Sequence, residues 1–250
     1  MKQFFAIVAI ILFATFNLSA QSDLFKQANE AYSKNDFQTA AALYEELLKA
    51  NGESATVYYN LGNSYYKQNK VAPSILNYER ALLLEPGNND TRFNLEIAKL
   101  KTVDKIDTVE NFFLAEWFLA VQNLLSTDAW SKFSITCFIL MIAGISFFFF
   151  SRRIIVKKSG FYIALGLLLC VIFGNIFAYN QKKKLTQRDT AVIFSPTTTI
   201  KSSPDSSGTD LFILHEGTEV KLKNTIDEWN EIETAAGNVG WIKSSEIQVI

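Results

Sequence analysis

The stretch Ala55–Lys67, ATVYYNLGNSYYK, decides the fold of the N-terminal part of the chain. Its pattern of small and aromatic residues recurs with a period of 34 residues. Gly62 is matched by Ala28 one period upstream, where only a small side chain lets two helices approach closely. Tyr78 is matched by Tyr44 in the same way, and a large ring at that position fills the space between helices. The pattern predicts two antiparallel helix pairs.

These positions resemble the tetratricopeptide repeat, a helix–turn–helix unit that stacks on its neighbours. Two residues depart from the usual repeat pattern: Val71 stands where an aromatic residue is usual, and Ser74 where alanine is usual. A third, partial copy begins at Asn89 and is expected to act as a capping helix. The sequence therefore predicts a repeat domain over residues 21–102.

The resemblance implies a concave groove lined by the first helix of each pair. By that resemblance, the groove would expose aromatic, amide and basic side chains: Phe25, Asn29, Tyr32, Tyr59, Asn63, Tyr66 and Lys67. Such a set suits the binding of an extended protein segment by stacking and hydrogen bonding. The alternative is that each of them is an ordinary surface residue.

Upstream of the repeat, residues 1–20 have the layout of a secretory signal peptide. Lys2 is followed by an apolar run, and the run ends in small residues before a predicted cleavage after Ala20. Leu18 is larger than the residue usually found at its position, so an uncleaved signal anchor is the alternative. Either arrangement translocates the repeat domain out of the cytoplasm.

Downstream, two uncharged apolar stretches, Phe133–Phe150 and Phe161–Tyr179, are 18 and 19 residues long. As helices they would measure about 27 Å, close to the ~30 Å hydrocarbon core of a bilayer. We expect transmembrane helices over residues 131–150 and 161–180, joined by a cytoplasmic loop over residues 151–160. Such a hairpin returns the chain to the side from which it came.

The basic residues only partly agree with this topology. The loop carries Arg152, Arg153, Lys157 and Lys158, as expected of a cytoplasmic loop. The cluster Lys182–Lys184 follows the second span and argues for holding that end inside. Because the signal peptide and the short loop outweigh this cluster, we expect an inner (cytoplasmic) membrane protein with both soluble parts in the periplasm.

Between the repeat and the hairpin, residues 103–130 form an amphipathic linker. Its apolar side chains, Trp117 among them, fall mainly on one face of a helix too short to cross a membrane. This helix either lies at the membrane interface or packs on the repeat as a further cap.

After the hairpin, residues 188–250 contain short β-rich runs separated by turn signals. Five or six strands in so short a segment predict a closed or nearly closed small barrel. The pairing of Trp229–Ile232 with a later Gly240–Ile242 resembles a bacterial SH3-like domain. Trp229 and Trp241 either form an aromatic binding groove or fill the core.

The expected architecture is therefore multidomain α + β: N-terminal tetratricopeptide repeats, a transmembrane helical hairpin and a C-terminal small SH3-like β-barrel. A net charge of −1 argues against a nucleic-acid partner. We expect no enzyme activity, no catalytic or metal-binding residues and no cofactor, because no acid–base or nucleophile–base set is apparent. Cys137 and Cys170 lie inside the apolar spans, and His215 is the only histidine.

The order of these parts resembles the BatE-type proteins of the Bacteroides aerotolerance (Bat) operon. The stretches Lys201–Asp205, Leu214–Thr218 and Val239–Trp241 strengthen this resemblance. It implies a scaffold of an envelope complex linked to oxidative-stress tolerance, with membrane or periplasmic proteins such as von Willebrand A domain Bat proteins as partners beside the lipid bilayer. The alternative function is the binding or sensing of cell-wall peptidoglycan by the C-terminal domain.

Overall fold

A computed structural model of the protein describes residues 23–105 and 113–250. The predicted signal peptide, residues 1–20, lies outside the described residues, as do residues 106–112 of the predicted linker. The chain divides into two units. The first contains the N-terminal helices and the C-terminal sheet, and the second contains the long apolar helices.

The described N-terminal part of the first unit, residues 23–105, contains five helices. Polar residues cap two of them: Asp36 accepts a hydrogen bond from the amide of Thr39 (3.1 Å), and Asn88 accepts one from the amide of Thr91 (3.0 Å). The helices are α1, residues 23–33; α2, Phe37–Asn51; α3, Ala55–Lys67; α4, Val71–Leu84; and α5, Asn89–Lys99.

The two repeats use the same aromatic contact between their helices. In the first repeat the ring centroids of Phe25 and Tyr44 lie 6.2 Å apart. In the second, the equivalent rings of Tyr59 and Tyr78 also lie 6.2 Å apart. Tilted or edge-on pairs at this separation are favourable for buried rings. The prediction of two similar helix pairs is confirmed.

Gly62 lies where α3 and α4 approach most closely. A Cβ atom on this residue would come within 2.7 Å of the Tyr78 ring, closer than van der Waals contact allows. The buried hydroxyl of Ser74 donates a hydrogen bond to the carbonyl oxygen of Gly62 (3.0 Å). Ala28, the counterpart of Gly62 in the first repeat, is fully buried.

The C-terminal part of the first unit is an antiparallel sheet of seven strands in the order β3-β2-β6-β5-β4-β1-β7. Alternate residues of these strands face one hydrophobic core, which includes Ile193, Ile200, Ile232 and Ile242. The strands are β1, Thr190–Ile193; β2, Thr197–Lys201; β3, Asp210–His215; β4, Glu219–Ile226; β5, Trp229–Thr234; β6, Val239–Lys243; and β7, Ile247–Val249.

The strand pairing does not show the closed barrel expected for residues 188–250. Within the described residues, strand β3 pairs only with β2 and β7 pairs only with β1, so each forms an edge of the sheet. Closure requires the two edge strands to pair with each other, and they do not. The terminal strand adds to β1 instead, which raises the number of strands from the expected five or six to seven.

The helical repeat and the sheet share a hydrophobic core. Ile75 and Leu76 of α4 are buried in one cluster with Val192 of β1 and with Ile250. A guanidinium nitrogen of Arg80 also donates to the carbonyl oxygen of Val249 (2.7 Å). The sequence predicts separate domains for these parts, whereas in the structure they pack together as one unit.

The second unit contains three helices: α6, Phe113–Gln122; α7, Thr127–Phe150; and α8, Ile154–Gln187. The connection between α7 and α8 covers only residues 151–153, in place of the expected loop over residues 151–160. The apolar residues Ile154 and Ile155 continue into helix, so Lys157 and Lys158 lie on the first turns of α8.

Small and polar side chains join α7 to α8. Gly144 and Gly160 lie backbone to backbone, since a Cβ on Gly160 would come within 2.7 Å of the Gly144 carbonyl oxygen. The amide nitrogen of Asn175 donates to the hydroxyl of Ser134 (2.7 Å). These contacts hold the two helices as an antiparallel hairpin.

Helix α6 packs on this hairpin at the end opposite the α7–α8 connection. The carbonyl oxygen of Gln122 accepts hydrogen bonds from the indole of Trp130 (2.8 Å) and the side-chain amide of Gln181 (2.8 Å). The rings of Phe118 and Phe177 also pack edge to face, 4.9 Å between centroids. The helix of the predicted linker therefore forms, and its position at a membrane interface stays a prediction.

Helices α7 and α8 are long and apolar enough to cross a membrane. Their 24 and 34 residues correspond to about 36 and 51 Å, more than the ~30 Å hydrocarbon core requires. Many of their large apolar side chains, such as Phe149 and Tyr162, are exposed within the unit. Such a surface is typical of a helix that contacts either lipid or another protein.

We expect Gly62→Ala to destabilise the repeat by about 1–3 kcal/mol, because the added methyl group collides with Tyr78. Helix propensity alone predicts the opposite sign, a gain of about 1 kcal/mol. Amide hydrogen exchange of α3 in the full-length protein measures the difference. Thr56→Ala, an exposed change on the same helix, serves as the control. A more stable Gly62→Ala protein would contradict the close contact.

Candidate functional site

Five of the seven residues predicted to line the repeat groove lie around one cavity of about 260 Å³. Helix α1 contributes one of them and α3 contributes four: Tyr32, Tyr59, Asn63, Tyr66 and Lys67. Phe25 and Asn29 are not among the residues that line this cavity. They belong to the first repeat, where Phe25 packs on the ring of Tyr44.

Three further residues line the cavity: Tyr78 of α4, and Asn94 and Ile97 of α5. None of these three residues belongs to the predicted groove set. Ile97 lies 34 residues after the predicted groove residue Asn63, so the third copy of the repeat carried the signal that could have found it. The capping helix therefore contributes to the groove as well as covering the end of the stack.

The asparagines of the groove are already hydrogen-bonded within the repeat. The side-chain oxygen of Asn63 accepts from the hydroxyl of Tyr78 (2.6 Å) and from the amide of Asn94 (2.9 Å). The equivalent oxygen of Asn29 accepts from the hydroxyl of Tyr44 (2.6 Å). These oxygens hold tyrosine rings in place. The polar group that Asn63 could offer to a partner is therefore its side-chain amide nitrogen.

The remaining chemistry of the groove is aromatic and basic. The ammonium group of Lys101 lies 4.0 Å from the centre of the Tyr66 ring, a cation–π contact. Burial, followed by the neighbouring Tyr59, raises the pKa of Tyr32, so its hydroxyl stays neutral at physiological pH. Lys67 is exposed at the rim. The cavity thus offers ring faces, neutral hydroxyls and positive charge, which suit recognition of a protein segment.

The structure places the two tryptophans of the predicted SH3-like groove differently. Trp229 is buried, with the ammonium group of Lys243 5.5 Å from its ring centre. Trp241 is partly exposed on the neighbouring strand, opposite Glu231. Burial removes most of the Trp229 ring from contact with a partner, so Trp241 is the more accessible of the two.

Asp104, at the end of the helical repeat, is hydrogen-bonded to the turn between β3 and β4. Its carboxylate accepts hydrogen bonds from the main-chain N–H of His215 (2.7 Å) and the hydroxyl of Thr218 (2.7 Å). It also contacts the His215 ring nitrogen at 2.8 Å. Although burial acts in the opposite direction, these hydrogen bonds lower the pKa of Asp104. His215 therefore helps to join the β3–β4 turn to the end of the helical repeat in this structure.

A second polar contact joins the repeat to the sheet. The ammonium group of Lys99 lies between two carboxylates, 2.7 Å from Glu79 and 2.9 Å from Glu219. Burial and the negative charge of Glu219 raise the pKa of Glu79 to about 7. Burial also acts to raise the pKa of Glu219, but Lys99 outweighs it and lowers that pKa. The ammonium group of Lys99 thus pairs with two carboxylates, and Glu79 is the carboxylate that binds a proton more readily.

The family model of the tetratricopeptide repeat matches residues 25–91. This segment consists of tetratricopeptide repeats. The match covers α2, α3 and α4, most of α1 and the start of α5. This agrees with the equivalent aromatic pairs, 34 residues apart, in the two repeats. Such repeats are protein–protein interaction modules. No curated protein matches the chain.

We expect the stability of the first unit to fall as the pH rises through about 7. Because the pKa of Glu79 is raised, the folded chain binds this proton more tightly than the unfolded chain, in which the pKa is near 4.5. The contribution is present below pH 4.5 and is lost as the carboxyl ionises in the fold. Glu79→Gln, which resembles the protonated form, should weaken this dependence.

Thermal unfolding of the full-length protein between pH 5 and pH 8, about the span of this titration, measures the effect. Glu96→Gln changes an exposed glutamate on α5 and serves as the control. An equally steep fall in the Glu79→Gln protein would show that Glu79 does not carry the dependence.

Proposed function

We propose that the protein is a membrane-anchored scaffold that binds a segment of another envelope protein in its repeat groove. The observation that carries this proposal is the cavity where Tyr59, Tyr66 and Lys67 lie together beside α5. Ring faces and neutral hydroxyls contribute contact area at low entropic cost, and lysine favours a partner with negative charge. The proposal assigns the groove to binding and includes no enzyme activity.

The apolar helices would supply the anchor. If α7 and α8 cross a membrane, their hairpin leaves the preceding and following parts of the chain on one side. Packing of Asp104 against the β3–β4 turn supports this topology, because segments before and after the hairpin must meet. With a signal peptide over residues 1–20, we place both parts in the periplasm, at the inner membrane.

The resemblance to BatE-type proteins supports a narrower proposal. It names an envelope complex linked to aerotolerance, with von Willebrand A domain proteins as partners. The open sheet of residues 188–250 would be the counterpart of the SH3-like domain in that comparison. Peptidoglycan binding is the second candidate, and partly exposed Trp241 is the residue through which it would act.

Crosslinking in intact membranes, followed by purification of the full-length protein, tests the groove. We expect Lys67→Glu or Tyr66→Ala to reduce recovery of the crosslinked partner by about tenfold. Lys49→Glu reverses an exposed lysine outside the cavity and should leave recovery unchanged. Recovery of no envelope protein by the wild type, or equal recovery by all variants, would refute the proposal.

An enzyme reporter fused after Ile250 tests the topology. We expect activity only from a reporter enzyme that works outside the cytoplasm, because the hairpin returns the chain to the side of the repeat. A reporter inserted between Ser151 and Arg153, in the short connection, should show the reverse. Cytoplasmic activity at the C-terminus would assign the cluster Lys182–Lys184 to the inner side and overturn the shared compartment.

A further inference from the structure

Strand β3 has an unpaired side along its backbone. It pairs with β2, from Thr197 opposite His215 to Lys201 opposite Asp210, and with no other strand of the described sheet. In an antiparallel ladder, successive residues direct their N–H and C=O groups alternately toward and away from the partner. The main-chain N–H of His215 donates to Asp104, so the main-chain polar groups of His215 point away from β2.

The main-chain polar groups of Ile213 point in the same direction as those of His215. The register is regular between these two residues, and the irregularity in the ladder lies between Ile200 and Lys201, where Leu211 of β3 has no partner on β2. The N–H and C=O groups of Ile213 therefore point toward the unpaired side. The Asp104 carboxylate already takes the place that a strand carbonyl would have opposite His215. Ile213 is the next position along that row.

The composition of β3 is unusual for a strand at the edge of a sheet. Four large apolar residues, Leu211–Leu214, stand in a row, and Leu211 and Ile213 are 48% and 54% exposed. Proteins commonly protect edge strands with lysine, proline or inward-pointing charges, because an unprotected edge pairs with other chains. Strand β3 contains neither lysine nor proline.

Space for another chain segment lies beside this strand. A cavity of about 400 Å³ is bordered by Ile213 and Leu214 on β3 and by Thr234 and Asn238 around the β5–β6 turn. Asp104 borders the same cavity. All of these residues belong to the first unit. A segment entering the cavity would therefore lie alongside β3 and continue the row that Asp104 begins.

We propose that the edge of β3 binds an extended segment of a partner protein as an additional strand of the sheet. Main-chain hydrogen bonds to Ile213 supply the register, and an apolar side chain of the partner packs beside Ile213. This site is separate from the repeat groove, so it goes beyond the proposed scaffold contact and does not depend on it.

Selection of short random peptides on the full-length protein in lipid nanodiscs tests the proposal, with counter-selection on the Ile213→Pro variant. Proline removes only the N–H that points away from β2, and proline is tolerated on such an edge. Ile213→Thr keeps the N–H and serves as the matched control. We expect peptides with alternating apolar residues that bind wild type and Ile213→Thr alike. Their binding to Ile213→Pro should be at least about tenfold weaker.

Amide hydrogen exchange at Ile213 gives a second readout, which needs no variant. A selected peptide should slow this exchange and leave that of Leu214, which faces β2, unchanged. The proposal is overturned if no peptide distinguishes wild type from Ile213→Pro, or if bound peptides leave the Ile213 exchange unaltered. Self-association of the wild type that Ile213→Pro abolishes would instead assign the edge to a second copy of the chain.

Discussion

The contact between the helical repeat and the sheet is the constraint on which the first unit depends. It joins parts of the chain that precede and follow the apolar helices, so it cannot form from either part alone. Lys99 and Asp104 supply its polar interactions, and both lie just before the chain leaves the repeat. Ile75 and Val192 supply its apolar interior. The resulting unit presents the groove and the open sheet edge from a single body.

Inside that body, the groove is shaped by hydrogen bonds that a partner does not have to provide. Asn63 holds the ring of Tyr78, and Asn94 reaches the hydroxyl of Tyr59 at 3.2 Å. Because these side chains are already ordered, little conformational entropy remains to be lost when a partner binds. The cost is a reduced number of polar groups directed at the partner. In the proposed complex, selectivity would then rest on the shape of the ring faces and on the charge of Lys67.

Local patterns in the sequence predicted the elements and part of the site. The 34-residue period located the helix pairs, and the resemblance to the tetratricopeptide repeat indicated five of the residues that lie around the cavity. Alternating β-rich runs located the strands. The sequence wrongly predicted that the sheet closes, and it left open whether Trp229 fills the core, because both features depend on which strands meet across the sheet. The packing of the repeat on the sheet likewise depends on contacts such as Lys99–Glu219, far apart in the chain.

The two departures from the repeat pattern have different explanations, and one of them nevertheless carried information about that packing. At Ser74 the added hydroxyl is satisfied by the Gly62 carbonyl, so the change costs no unpaired polar group. Val71 lies beside the β3–β4 turn, where a Cβ on Gly217 would come within 3.4 Å of it and within 2.8 Å of Thr102. A large aromatic side chain at position 71 would compete with the turn for this space. The smaller residue thus marks the face of the repeat on which the sheet packs.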